Sequence, residues 1–317
     1  MGNNAKSDGP MVASYVTFSN NVQSDNFPTI TTVPVGMPGN PAVYANPNPP
    51  RALRGLTATR PPADTDLVDV ALAVLVFAPA LALGSFLNVV VARLPEKRSL
   101  VRPRSSCVTC AREIAWYDNV PVLSYLALRG RCRGCGSRIG LRYLVVELGT
   151  ALLVAACFLR FGLSGHAFVA AFFVAALVTL SAIDFERRIL PDRIVLPATV
   201  VVLLAQIALE PGKAPEWVGA ALGASFFLFA AVVAYPAGMG MGDVKLALLL
   251  GAALGRYVGV ALMLGMFAAL LVSLVFFARH GLAARKMAIP FGPFLALGSV
   301  IALFWGEPIL HSYLVTI

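Results

Sequence analysis

The sequence predicts an all-α polytopic membrane protein of about eight transmembrane helices, with a small zinc-stapled cytoplasmic loop domain. Three observations predict it. The 317 residues are 58% hydrophobic and only 13% charged, with a mean hydropathy of +0.78, far from the composition of a soluble globular domain. Apolar runs long enough to cross a hydrocarbon core, which needs about 20 helical residues, recur from Leu67 to the C-terminus. Two CxxC pairs lie in the long polar stretch between the first two runs.

Residues 1–66 carry ten Pro and eight Asn and have no apolar periodicity, which reads as a disordered extension; starts at Met11 or Met37 fit the same composition. The first transmembrane helix is placed at 67–92 and a cytoplasmic zinc-binding domain at 93–142, followed by a transmembrane domain over 143–317. Within it the apolar runs are 143–160, 165–183, 194–209, 217–235, 243–254, 257–278 and 291–310, the run at 243–254 being short. No internal repeat marks two inverted halves.

The net charge of +9 becomes informative once it is placed. Between Arg93 and Arg142 stand eleven Lys or Arg against three acids, Glu96, Glu113 and Asp118, so that segment is cytoplasmic by the positive-inside tendency. Threading eight spans from there puts 186–193 and 279–286 inside as well, for 17 basic residues on that side. The three short outer loops hold one each, Arg160, Lys213 and Arg256. A basic balance distributed in this way is a topology signal, and no nucleic-acid partner is expected; the partner it implies is the lipid bilayer.

CVTC at 107–110 and CRGC at 132–135 are separated by 21 residues. Two such knuckles folded together offer four thiolates at tetrahedral corners, the ligand spacing of a structural Zn²⁺ site, so Cys107, Cys110, Cys132 and Cys135 are the expected metal ligands. A cytoplasmic setting argues against disulfides. Four sulfurs leave no open position for catalysis, so the role is that of a staple for a loop with too little core to fold alone. Arg131 and Arg133 are placed to offset the excess negative charge, and Gly134 and Gly136 to let backbone amides reach the sulfurs. Cys157, alone in ALLVAACFL, reads as a small lipid-facing or packing residue.

Acids are rare in the membrane half and expensive there, about 2.5–3.5 kcal/mol at a helix centre on insertion scales, so the few present need a reason. Asp184 closes the third run in TLSAIDFERRILPD, and Asp243 opens the sixth in GMGMGDVKL. In the threaded topology the third span runs inward and the sixth outward, so both acids arrive at the cytoplasmic face. Two carboxyls at a partly dehydrated boundary titrate as a pair, the chemistry by which one takes a proton from water while the other gives one to a carbonyl. Gly238, Gly240 and Gly242 would allow close approach to Asp243. Taken singly, Asp243 also suits a helix cap and Asp184 a solvated helix end. Lys245 is expected to snorkel to the interface, Asp192 to cap the fourth helix after Pro191, and Glu147 to pair with Arg142 as a structural or substrate-orienting group.

From Gly84 onward the chain resembles the type IV prepilin peptidases, the bifunctional leader peptidase and N-methyltransferase family of pilus and type II secretion systems. The stretches that carry the resemblance are GSFLNVVVARLP (84–95), WYDNVPVLSYLALRGRCRGC (116–135), RYLVVELGTA (142–151), IDFERRILPD (183–192), GMGMGDVKL (238–246) and PFGPFL (290–295), with the two CxxC pairs. The resemblance implies an aspartic endopeptidase whose catalytic pair is Asp184 and Asp243. It implies substrates that are prepilins or pseudopilins, cut after glycine at the cytoplasmic face of a bacterial inner membrane. It also implies methylation of the new N-terminal residue from S-adenosylmethionine, for which the sequence carries no glycine-rich cofactor fingerprint. Leu144 stands where the family often has proline. Glu186 stands where many members have a second aspartate, which makes it the fallback for the first acid. The competing reading is a transporter, or a scaffold that docks partners through its zinc loop. A transporter would place its ionisable groups near the bilayer midplane, and here they gather at one edge.

Overall fold

The computed structural model describes residues 63–235, 239–281 and 289–316, with side chains described from Leu75 to Ser312 within those ranges. The expectation of a disordered extension therefore lies outside the described residues up to position 62. Among the described residues the protein is helical, with two isolated β-bridges in the cysteine loop. The helices are α1 (Ala63–Arg93), α2 (Leu123–Ala127), α3 (Leu141–Phe161), α4 (Gly165–Arg187), α5 (Asp192–Leu209), α6 (Ala214–Ala234), α7 (Met241–Leu254), α8 (Val258–His280) and α9 (Gly292–Thr316).

Among the described residues, seven helical runs are long and apolar enough to cross a membrane. One of them, Met241–His280, is 40 residues long, roughly 60 Å and twice what a bilayer needs. It is broken at Gly255, whose φ of +53° ends α7, and a 3₁₀ turn over Gly255–Tyr257 leads into α8. A Cβ there would stand 2.7 Å from the Trp217 ring, so only glycine makes this bend. The eight expected spans are thus α1 and α3 to α9, each within a few residues of its expected bounds except the last, which runs on to Thr316.

The differences at helix ends have local causes. The third span continues one turn past its expected end because Arg188 closes α4 in the left-handed conformation, donating its N–H to the Asp184 carbonyl at 2.8 Å. The sixth begins two residues early because Gly240 is the N-cap, placing Asp243 inside the first turn. Asp192 is the first residue of α5 and Pro191 is its cap, so the expected cap role for Asp192 is corrected.

The helices pack through small residues, as they must where the surroundings are as apolar as the side chains. Gly251 of α7 lies so close to α6 that a Cβ would meet the Ala220 carbonyl oxygen at 2.4 Å. Helix α4 is the most enclosed span and touches α1, α3, α5 and α9. The core lies where Phe173, Leu177, Leu180 and Ile183 of α4 meet Leu246, Leu249 and Leu250 of α7 and Leu295 of α9, all fully buried. Three ends of this core converge: Asp184 follows Ile183, Asp243 precedes Leu246 by three residues, and Gly292 precedes Leu295 by three.

Candidate active site

Asp184 and Asp243 are buried, at 6% and 8% exposure, although each is within one turn of a helix end. Asp243 Oδ2 accepts the Gly240 N–H at 3.3 Å, and the Asp243 N–H donates to the Gly240 carbonyl at 3.1 Å, so the first turn of α7 folds back on its own carboxylate. Asp184 Oδ2 accepts the Gly292 N–H at 2.9 Å, across 108 residues of sequence. The two carboxyl groups lie within Coulombic reach of each other. The structure therefore brings together the two acids expected to meet. The cap reading of Asp243 also holds, since its carboxylate caps α7 while facing this site. Gly240 borders it, Gly242 packs instead against Leu190, and Gly238 lies outside the described residues.

Gly292 is the residue that sequence reasoning missed. It opens α9, whose first-turn amides have no partner within the helix, so its N–H is free to be aimed at an anion. A Cβ on Gly292 would stand 2.8 Å from Asp184 Oδ2 and 3.2 Å from its Cγ. The signal was present as PFGPFL, where Pro293 lacks an N–H and the glycine before it has one, but nothing in the sequence said which acid it would meet.

The surrounding charges are paired differently from expectation. Arg142 forms its ion pair with Glu186 of α4, and not with Glu147. Glu147 instead accepts the Val122 N–H from the cysteine loop at 2.8 Å. Lys245 has a partner that the sequence did not indicate: its Nζ contacts both Asp192 oxygens at 2.7 and 2.8 Å, tying α7 to α5 two residues past Asp243. Arg187 reaches Glu96 at 2.7 Å, which ties α4 to the chain just beyond α1 and draws the Glu96 carboxyl below its usual range, through that hydrogen bond first. Ion pairs on Glu186, Arg187 and Asp192 thus fix both sides of the turn that follows Asp184.

The four expected thiols come together. The sulfurs of Cys107, Cys110, Cys132 and Cys135 all lie within 4.8 Å of one another. The Cys107 and Cys135 sulfurs are 3.8 Å apart, about the edge of a tetrahedron built on metal–sulfur bonds near 2.3 Å. The two knuckles repeat one geometry: Ser106 bridges Glu113 and Arg131 bridges Arg138, with Ala111 and Gly136 at positive φ in equivalent places. The Gly134 amide approaches Cys132 Sγ at 3.4 Å as expected, whereas the Gly136 amide turns to the Cys132 carbonyl. Arg133 is not free to offset the thiolates, because its guanidinium makes a bidentate pair with Asp118 and holds that carboxyl below its usual range. The Cys107 thiol is lowered to about 5, first by its hydrogen bond from the Cys110 backbone and then by Ser137. Cys157 is fully buried in the helix core, which makes it a packing residue and not a lipid-facing one.

Fold and site together define a polytopic helical membrane protein that holds two aspartates together at one end of its bundle, beside a loop of four clustered thiols. The sequence profile described as Bacterial Peptidase A24 N-terminal domain matches residues 79–161, and that described as Type IV leader peptidase family matches residues 171–278. A prepilin leader peptidase/N-methyltransferase of Pseudomonas putida is 38% identical over 261 residues, covering 73% of this chain and 90% of that protein. Proteins of the same name from Bacillus subtilis and Pseudomonas aeruginosa are 34% and 35% identical, covering 76% and 74% of this chain and 97% and 90% of their own lengths. No solved structure matches. The chain belongs to the prepilin leader peptidase/N-methyltransferase family.

Proposed function

We propose that this protein is a membrane aspartic endopeptidase that cleaves the leader from type IV prepilins or pseudopilins after a glycine, with Asp184 and Asp243 as its catalytic pair. The observation that carries the reading is the meeting of these two buried acids, from helices 59 residues apart in sequence, within Coulombic reach. One Oδ2 is held by Gly292 and the other by Gly240, leaving Oδ1 of each for water and substrate. One carboxylate takes a proton from water as its oxygen adds to the glycine carbonyl carbon, and the protonated partner gives its proton to the carbonyl oxygen. The tetrahedral adduct then collapses: the carboxylate that gave its proton takes one back from a hydroxyl as the C=O bond re-forms, the C–N bond breaks, and the proton first taken from water passes to the departing amine, returning the pair to its starting state. The charge distribution supports placing this reaction at the cytoplasmic face of a bacterial inner membrane, where a leader would remain while the following segment enters the bilayer.

The four thiols fit Zn²⁺, held by Cys107, Cys110, Cys132 and Cys135 as a closed structural site; the ion would supply the folding free energy that the loop lacks. Cys107→Ser is expected to lower bound zinc, read by metal analysis of the purified protein, and to make the loop the first region cut by limited proteolysis. Wild-type protein free of zinc contradicts this. Methylation of the new amine would draw its methyl group from S-adenosylmethionine; this rests on family membership, and no described residue is assigned to that group.

Mixing the detergent-solubilised protein with a synthetic prepilin tests the activity. The expected result is a shortened product whose new N-terminus follows the glycine. An intact substrate under conditions where the protein stays folded supports the transporter or scaffold reading instead.

A further inference from the structure

We infer that the segment around α2 of the cysteine loop does not stand in the aqueous phase but dips below the membrane surface, latched there by Glu147 and with Leu123 and Leu126 turned to lipid. Helix α3 sets the depth scale. Its 21 residues span roughly 31 Å, close to the thickness of a hydrocarbon core of about 30 Å, so Leu141 stands near the polar boundary. Glu147 is six residues further in, about 9 Å along the axis. Glu147 is 9% exposed, its carboxylate accepts the Val122 N–H at 2.8 Å, and Val122 is the residue that opens α2. The chain of the loop is therefore held beside the first turns of α3, between its start and the level of Glu147.

The segment is built as such a location demands. Backbone donors in hydrocarbon must be satisfied within the protein. The N–H groups of Ser124, Leu126, Leu128, Arg129, Gly130 and Arg131 donate to carbonyls between Val120 and Leu128, and the Ser124 hydroxyl donates to the Val120 carbonyl at 2.6 Å. The Val122 N–H, which has no such local partner, is the one Glu147 takes. Val122 sits at φ +60°, a conformation a β-branched residue holds only where its surroundings over-determine it. On the outer side Leu123 and Leu126, three apart and so on one face, are 65% and 60% exposed. On α3 itself Leu141 and Val145 are likewise exposed. Exposed Trp116 and Tyr117 precede α2 and exposed Arg129 and Arg131 follow it, the residue types that settle at a headgroup layer. Neither the depth nor the exposure depends on the chemistry of Asp184 and Asp243.

The test uses the full chain in nanodiscs of phosphatidylethanolamine and phosphatidylglycerol with a trace of phospholipid carrying a photoactivated diazirine in its acyl chain. After illumination and trypsin digestion, adducts are mapped by mass spectrometry. The expected result is labelling of the peptide 113–129 at Leu123 and Leu126, at a level comparable to that of the α3 peptide 143–160. Labelling of 143–160 with none in 113–129 overturns the proposal, whether water or another protein covers the segment. Glu147→Ala should reduce labelling of 113–129 several-fold while leaving 143–160 unchanged, and Glu147→Gln, which keeps an acceptor oxygen, should preserve it. Unchanged labelling of 113–129 in Glu147→Ala contradicts the latch.

Discussion

Asp184→Asn and Asp243→Asn are each expected to lower the rate of prepilin cleavage by about 10⁴-fold or more, roughly 5.5 kcal/mol of transition-state stabilisation, without loss of membrane insertion. Asn is nearly the same size, accepts the Gly292 or Gly240 amide through its oxygen, and neither takes nor gives a proton at neutral pH. The change therefore removes the acid–base function and leaves the packing about Ile183 and Leu246. Single-turnover assays on equal amounts of membrane-inserted protein measure it. The opposite outcome for Glu186→Gln separates the acids: Glu186 is ion-paired to Arg142, so its loss should cost less than tenfold, on the order of the 1 kcal/mol or less that partly exposed pairs contribute. Near-normal cleavage by Asp184→Asn together with loss in Glu186→Gln would move the first acid to position 186.

Gly292→Ala carries the second large effect. The added methyl carbon would stand 2.8 Å from Asp184 Oδ2 and 3.2 Å from Cγ, so the carboxylate must move away from the amide that now holds it at 2.9 Å. Misplacing a reacting group by about 1 Å costs on the order of 10²-fold, and the loss should fall on kcat with KM little changed, because the methyl displaces a reacting carboxylate. A variant that loses substrate affinity instead, with kcat preserved, would show that Gly292 shapes a binding surface and does not position Asp184.

Much of this was legible in the sequence, and the reasons differ by element. The helices were readable because apolar runs of membrane length have few alternative explanations, and the loop because CxxC pairs at that spacing bring four sulfurs together. The convergence of Asp184 and Asp243 followed from counting Lys and Arg on each side, which sets direction for every span at once. What could not be read was lateral pairing. Arg142 has Glu147 nearby in sequence and Glu186 on another helix, and only the packing of α3 on α4 selects the second. Lys245 and Asp192 are 53 residues apart, and Gly292 and Asp184 108, so their meeting depends on which helices are neighbours. Helix ends also escaped: Arg188 in the left-handed conformation carries α4 a turn beyond Asp184 and buries an acid that looked terminal.

The central claim is that the two aspartates act as one unit on one water. Cleavage by the double variant Asp184→Asn/Asp243→Asn, measured beside both single variants on the same synthetic prepilin, tests it most directly. Groups that work together lose nearly everything with the first change, so the double variant should be no slower than the worse single variant. Losses that multiply in the double variant, or a single variant that still cleaves at close to the wild-type rate, would contradict a shared catalytic pair.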